Sequence, residues 1–322
     1  MKKLLLFLFL PGVFCFSQDT KEMYKTYQDF GFQKQPKKVS LIQYEFKDKV
    51  VIDQSKETYL FNELGNISSI VEVNYMDNNT TETSYTYQNG LLTKECAQLQ
   101  KTLSLARCID YTYNDKKQLV KKVLQSNEYT ETTVYAYKND RLDQVVADFE
   151  SDSKLLQEFF YNAKGDLYLI KSTETLSDGK NYFSTEAYLK DKLLFQRDHQ
   201  GHSSFLYHEE PNMKIQFLIK GNKIIQNLQK IEQQLAKNDS DVAKDFSMLI
   251  GQNFLNDAEM KTQNITVFKR NEHQDYVATG TTNDPKKPLQ NIAFREIEYA
   301  DGTKSGTEDF DFFIYNELNK MK

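Results

Sequence analysis

His199, His202 and His208 are the residues whose type and spacing come nearest to a reactive centre. The first two form an H-x-x-H pair with Asp198 and Glu209 nearby, a spacing able to ligate zinc. Asp309 and Asp311 stand two residues apart, on one face of a strand, where paired carboxylates could do acid–base work or hold calcium. His273 would matter only inside a pocket with convergent carboxylates. No Cys–His nucleophile pair survives if Cys96 and Cys108 are joined. The sequence has no P-loop, G-x-S-x-G elbow, H-E-x-x-H helix or G-x-G-x-x-G turn. No catalytic, cofactor-binding or metal-ligating residue is assigned, and a non-enzymatic protein without a cofactor is expected.

The elements that would position these groups are set by a repeat. An aromatic-x-aromatic triplet is followed by a polar turn and then an aliphatic residue. The long form places the aliphatic residue six positions after the second aromatic. It occurs as YLFNELGNI (Tyr59, Phe61, Ile67), YTYNDKKQL (Tyr111, Tyr113, Leu119), FFYNAKGDL (Phe159, Tyr161, Leu167) and FLYHEEPNM (Phe205, Tyr207, Met213). The short form is one residue tighter. It covers Tyr44/Phe46/Val51, Tyr85/Tyr87/Leu92, Tyr135/Tyr137/Leu142, Glu186/Tyr188/Leu193 and Phe217/Ile219/Ile224. Short and long forms alternate strictly through nine copies.

Each copy reads as a β-hairpin. Residues i and i+2 of a strand share a face, so both aromatics project together, and Asn89-Gly90 or Asn162 to Gly165 supplies the turn. Polar segments with their own turn residues separate the copies. The expected fold is therefore mainly β, a long antiparallel meander of about 18 strands in one curved sheet. The aromatics form a ladder along one face, and Tyr85, Tyr87, Tyr111, Tyr113, Tyr135 and Tyr137 are its candidate binding face for a sugar or peptide. The same register separates the histidines. His199 falls in a distal turn and His208 at a motif turn, on opposite edges about 17 Å apart.

The pattern resembles the YD-repeat (RHS-like) family of bacterial secreted and envelope proteins, whose units read roughly Y-x-Y-D-x-x-G-R-L. The resemblance covers about residues 39 to 224, in a short form without toxin or processing core. Asn62, Asn114 and Asn162 stand where the family has Asp, and the Gly-Arg pair is mostly absent. The resemblance implies a short secreted or envelope β-repeat protein of the kind that has no assigned activity.

Residues 1–17 read as a signal peptide, with Lys2 and Lys3 ahead of the apolar run Leu4 to Leu10 and small residues near Ser17. Export to periplasm, cell surface or medium is expected, and an even pair of remaining cysteines, Cys96 and Cys108, then reads as a disulfide across a hairpin tipped near Thr102. Residues 18–224 form the repeat domain and 225–322 a small α+β cap. In that cap Ile224, Leu228, Ile231 and Leu235 follow helical spacing, and Asn291 to Tyr315 return to strand-like alternation. Phe160, Leu206 and Leu218, which lie between paired aromatics, are expected to be buried under residues 224 to 255.

The 322 residues carry 41 Lys plus Arg against 46 Asp plus Glu, which argues against a nucleic-acid partner. No later apolar run reaches helical spanning length, and strands such as LDQVVADFE carry charge on both faces, so no membrane span is expected. The functional expectation is a scaffold or binding protein presenting a sheet surface, or a free sheet edge, to a protein or envelope component. The alternative is a glycan-binding module using Tyr and Phe of the repeat face.

Overall fold

The hairpin spacing of the repeat is realised along the chain. The computed structural model describes residues 25–322 except 48–49, 77, 100–106, 150–152, 191, 199–203, 220–221, 238–240 and 252–259. The expected leader and its cleavage point lie outside the described residues, as do His199, His202 and the hairpin tip at Thr102. The first strands are β1 (Pro36–Lys47), β2 (Val50–Phe61), β3 (Ile67–Asn74), β4 (Asn79–Gln88), β5 (Leu91–Leu99) and β6 (Arg107–Tyr113). Next come β7 (Leu119–Gln125), β8 (Thr130–Lys138), β9 (Arg141–Asp148), β10 (Ser153–Tyr161), β11 (Leu167–Leu176) and β12 (Asn181–Leu189). Then follow β13 (Lys192–Asp198), β14 (Ser204–Glu210), β15 (Met213–Ile219), and the helices α1 (Asn222–Lys237) and α2 (Val242–Gly251). The chain ends with β16 (Met260–Arg270), β17 (Tyr276–Thr282), β18 (Asn291–Tyr299), β19 (Lys304–Gly306) and helix α3 (Phe312–Met321).

From β1 to β18 every strand pairs antiparallel with the next. The expected open, curved sheet is nevertheless wrong, because β1 also pairs with β18 over Pro36 to Glu45 against Tyr299 to Asn291. The meander closes into an 18-stranded antiparallel barrel. Closure satisfies the backbone groups that two free edges would leave unpaired, and it removes the terminal edges proposed for strand addition. Short β19 pairs with β18 on the side away from β1. The expected α+β cap is corrected with it: β16 to β18 are ring strands, and α1 and α2 are an excursion between β15 and β16.

The exclusion of a membrane span falls as well. No helix among the described residues is long and apolar enough to cross a bilayer, and that says nothing about strands. A closed ring of strands is the form in which β-proteins cross membranes.

In copies two to seven the second aromatic pairs with the motif aliphatic, and a bulge precedes it in every case. In the long turns an asparagine side chain caps the loop: Asn62 Oδ1 accepts from the amides of Leu64 and Asn66, both at 3.0 Å. Asn114 and Asn162 do the same. Gly65 and Gly165 supply the positive φ that these loops require. Short turns place Asn89-Gly90 and Asn139-Asp140 at positive φ, as two-residue hairpin loops demand.

Two copies depart from the expected single face. Tyr44 lies opposite Ile292 and packs edge-on against Phe294 and Phe310, on the face away from Tyr59. In the ninth copy Phe217 pairs with Leu206 and Leu218 with Phe205, so its ring points the other way, and the motif aliphatic Ile224 lies in α1 and not in a second strand. Leu206 is fully buried with Ile224, Leu228, Ile231 and Leu235 of α1, and Phe160 packs on the same cluster. Phe217 takes the place expected for Leu218, because register with β14 and not the motif decides which side faces the helices.

The strand expected over Asn291 to Tyr315 ends early. Asp311 caps α3, accepting from the amides of Phe313 at 2.8 Å and Ile314 at 3.0 Å.

Candidate binding face

Cross-strand geometry begins with the cysteines. Cys96 and Cys108 are direct partners on β5 and β6, and their sulfurs are joined. A disulfide here belongs to a protein matured in an oxidising compartment, so the chain is exported.

The second tyrosine of each central copy has a defined task. Tyr87 Oη donates to the carbonyl of Ile67 at 3.0 Å, Tyr113 to Leu92 at 2.7 Å, Tyr137 to Leu119 at 2.9 Å and Tyr161 to Leu142 at 2.9 Å. Each acceptor is the aliphatic residue of the preceding copy, which lies beyond the start of the ladder with the next strand. The β3–β4 ladder starts at Ser69 and the β7–β8 ladder at Lys121. The hydroxyl thus satisfies a carbonyl that strand pairing leaves over. Copy seven has Glu186 at the first aromatic position, and the Tyr188 hydroxyl donates to its carboxylate.

Several first-position rings are part of the core. Tyr111 and Phe159 are buried, the former with Leu92 and Leu119, the latter with Leu142, Val145 and Ile170. Tyr111 Oη donates to Glu95 at 3.0 Å. Burial, with the Glu95 carboxylate as second cause, pushes the Tyr85 and Tyr87 phenols well above their usual range, so both stay protonated donors. Of the six rings predicted as a binding face, Tyr111 is core, and Tyr85, Tyr87, Tyr113, Tyr135 and Tyr137 are half-buried.

An open cleft of ≈ 450 Å³ lies where the fourth copy's long turn meets the fifth copy's short turn. Tyr135, Tyr137 and Val120 line it together with Asn114, Lys116, Gln118, Asn139 and Asp140. Lys116 and Asp140 are ion-paired across it, and Gln118 Nε2 donates to the Asp140 carbonyl at 3.3 Å. Sequence reasoning named the two tyrosines and missed the turn residues. The available signal was the alternation itself, which sets a long and a short turn side by side.

The remaining candidates separate. His208 lies within strand β14 opposite Ile215, not at the turn expected for it, and its ring is 3.2 Å from Glu210. His273 sits in a 271–275 loop capped by Asn271, a long-type turn unrecognised in the sequence, and meets Tyr299 edge-on at 5.1 Å. Asp311 is a helix cap, so Asp309 and Asp311 form no strand-face pair. Among the described residues no group of three His, Cys, Asp or Glu could hold a metal ion.

No family model matches the chain, and no curated protein matches it. Among solved structures it is similar to a porin-like protein from Bacteroides uniformis ATCC 8492, at 12% identity and TM-score 0.32, over 82% of this chain and 98% of that one. A porin-like protein from Bacteroides vulgatus ATCC 8482 gives 12% identity and TM-score 0.36, over 83% and 98%. The structure of TcdB2-TccC3-Cdc42 gives 12% identity and TM-score 0.33, over 83% of this chain but 16% of that one. These are likenesses of outline. Closure of the barrel rests on the pairing of β1 with β18 in this chain.

Proposed function

We propose that this protein is a non-enzymatic β-barrel of the cell envelope that binds and presents, serving as a scaffold whose surface receives a protein or envelope partner. Kinship with the short, toxin-free YD-repeat (RHS-like) proteins is part of this reading. One observation carries it: the hydroxyls and carboxylates most able to do chemistry are engaged by the fold itself. Tyr87, Tyr113, Tyr137 and Tyr161 hold backbone carbonyls, and Tyr59, Tyr111 and Tyr188 hold glutamates. What faces outward is the rim of motif turns, with Leu64 strongly exposed and Lys116 accessible.

Photo-crosslinking in living cells tests this, with a photoreactive residue at Leu64 or Lys116. A discrete adduct that fractionates with the envelope is expected. Recovery of the protein in the cytoplasm, or no adduct at either site, overturns the reading.

The glycan reading is favoured by one feature, the pairing of Tyr135 and Tyr137 with amide and carboxylate groups in the cleft. Glycan-array binding that disappears in folded Tyr135→Ala would select it over a protein partner.

A further inference from the structure

The repeat places a long turn beside a short-turn copy at more than one point on the barrel, and the chain itself fills the first such groove. In the first groove, formed by the 62–66 turn and the Tyr85/Tyr87 copy, Thr26 makes an antiparallel bridge with Asn66. Tyr27 N donates to Gly65 O at 2.9 Å, and Ile67 N donates to Lys25 O at 3.0 Å. The Lys25 ammonium lies 5.0 Å from the Tyr85 ring centroid and pairs with Glu95. Residues 25–27 are thus a short added strand whose main chain supplies the pairing and whose lysine reads the groove floor.

The second groove is the cleft described above. By repeat position Gln118 stands for Asn66, Lys117 for Gly65, Leu119 for Ile67, Tyr135 for Tyr85 and Tyr137 for Tyr87. The strap Tyr137 to Leu119 matches the strap Tyr87 to Ile67, so the two grooves share one frame. The β7–β8 ladder starts at Lys121, which leaves the carbonyl of Lys117 and the amide of Leu119 outside it. These are the two groups that bind residues 25–27 in the first groove.

The side chains around the two grooves differ, and the differences set the ligand. Val145, buried, replaces Glu95, and Leu124 replaces Glu72, so the floor under Tyr135 is apolar. Gly65 lets the Tyr27 ring approach so closely that a Cβ there would lie 2.8 Å from it. Lys117 carries that Cβ, so a large ring is not admitted.

We propose that the cleft between the 114–118 turn and Asn139-Asp140 is a peptide seat. It takes an extended segment of a partner protein, paired to Gln118 as Thr26 is to Asn66. That segment carries an apolar residue in the place of Lys25 and a small one in the place of Tyr27. The proposal rests on the scaffold reading only in taking the partner to be a protein.

The test uses the full mature, oxidised protein and a fluorescent synthetic peptide with the sequence of residues 20–32, altered by Lys25→Leu and Tyr27→Ser. Anisotropy reads binding and amide hydrogen exchange reads location. Binding with exchange slowed at residues 117–119 is expected, with the unaltered peptide weaker by about tenfold. Gln118→Trp, at the rim, should weaken binding by about tenfold, and Val145→Glu should shift preference toward the lysine-bearing peptide. Because Val145 is buried, Gln118→Trp carries the decision if Val145→Glu does not fold. Absent binding, protection confined to residues 65–67, or an undiminished Gln118→Trp overturns the seat. Cytoplasmic recovery of the protein overturns the envelope reading alone and leaves this measurement intact.

Discussion

Glu57 and Glu72 face each other directly across β2 and β3, an arrangement that opposes folding at neutral pH. Burial raises both carboxyls above the ordinary glutamate value, and for Glu72 the charge of Glu57 adds to it. Gln43 Nε2, at 2.9 Å, and the Tyr59 hydroxyl donate to Glu57, and Arg295 lies close enough to draw its value back down. Glu72 has the weaker compensation. A carboxyl raised on folding makes the folded state bind protons more tightly. Its contribution is therefore most favourable below the ordinary glutamate value and is lost as pH rises through the folded value. Glu72→Gln should gain about 0.2–1 kcal/mol at neutral pH and flatten that decline. Urea unfolding at pH 5 and pH 7.5 measures it, and an unchanged pH slope would contradict the account. The glutamates were readable in the sequence as polar positions of strands. Their opposition was not, because it depends on a bulge at Phe61 that sets the β2–β3 register.

At the scale of the element, the hairpin is the unit, and the tyrosine strap joins one unit to the next. The aromatic-x-aromatic spacing declares the strand, and Asn62, Asn114 and Asn162 declare the long turn, so eight hairpins were legible from types and spacing alone. The ninth copy was misread because Phe217-Leu218-Ile219 carries the same local pattern while β14 fixes its register the other way. The strap could not be seen at all, since it crosses from one copy to the last residue of another. Tyr113→Phe keeps the ring and removes the bond to the Leu92 carbonyl. It should cost about 0.5–1.5 kcal/mol, the usual net worth of such a bond. Denaturant titration reads the loss, and an unchanged midpoint would show that the carbonyl does not depend on the hydroxyl.

At the scale of the whole molecule, closure is the decisive fact. β1 and β18 meet along nearly their full lengths, with Glu45 directly opposite Asn291. Glu45→Cys with Asn291→Cys should form a disulfide during oxidative folding, because direct partners on antiparallel strands lie within bridging distance. Peptide mass mapping without reductant detects the cross-link. An open sheet would hold these residues apart and leave both thiols free. Closure also changes how a partner could bind, since the long sheet edges are paired and the turn rim becomes the accessible feature.

The amino-acid order alone determined the tandem hairpins, the two turn types, the cysteine bridge and the first long helix. All of these follow from side-chain period, turn chemistry or residue pairing within a few tens of positions. Only the tertiary structure decided that the sheet returns on itself, that the first and last copies face the opposite way, and that the C-terminal strands complete the ring. Those outcomes depend on twist and register accumulated over eighteen strands, and on one pairing between segments about 250 residues apart, which no local pattern encodes.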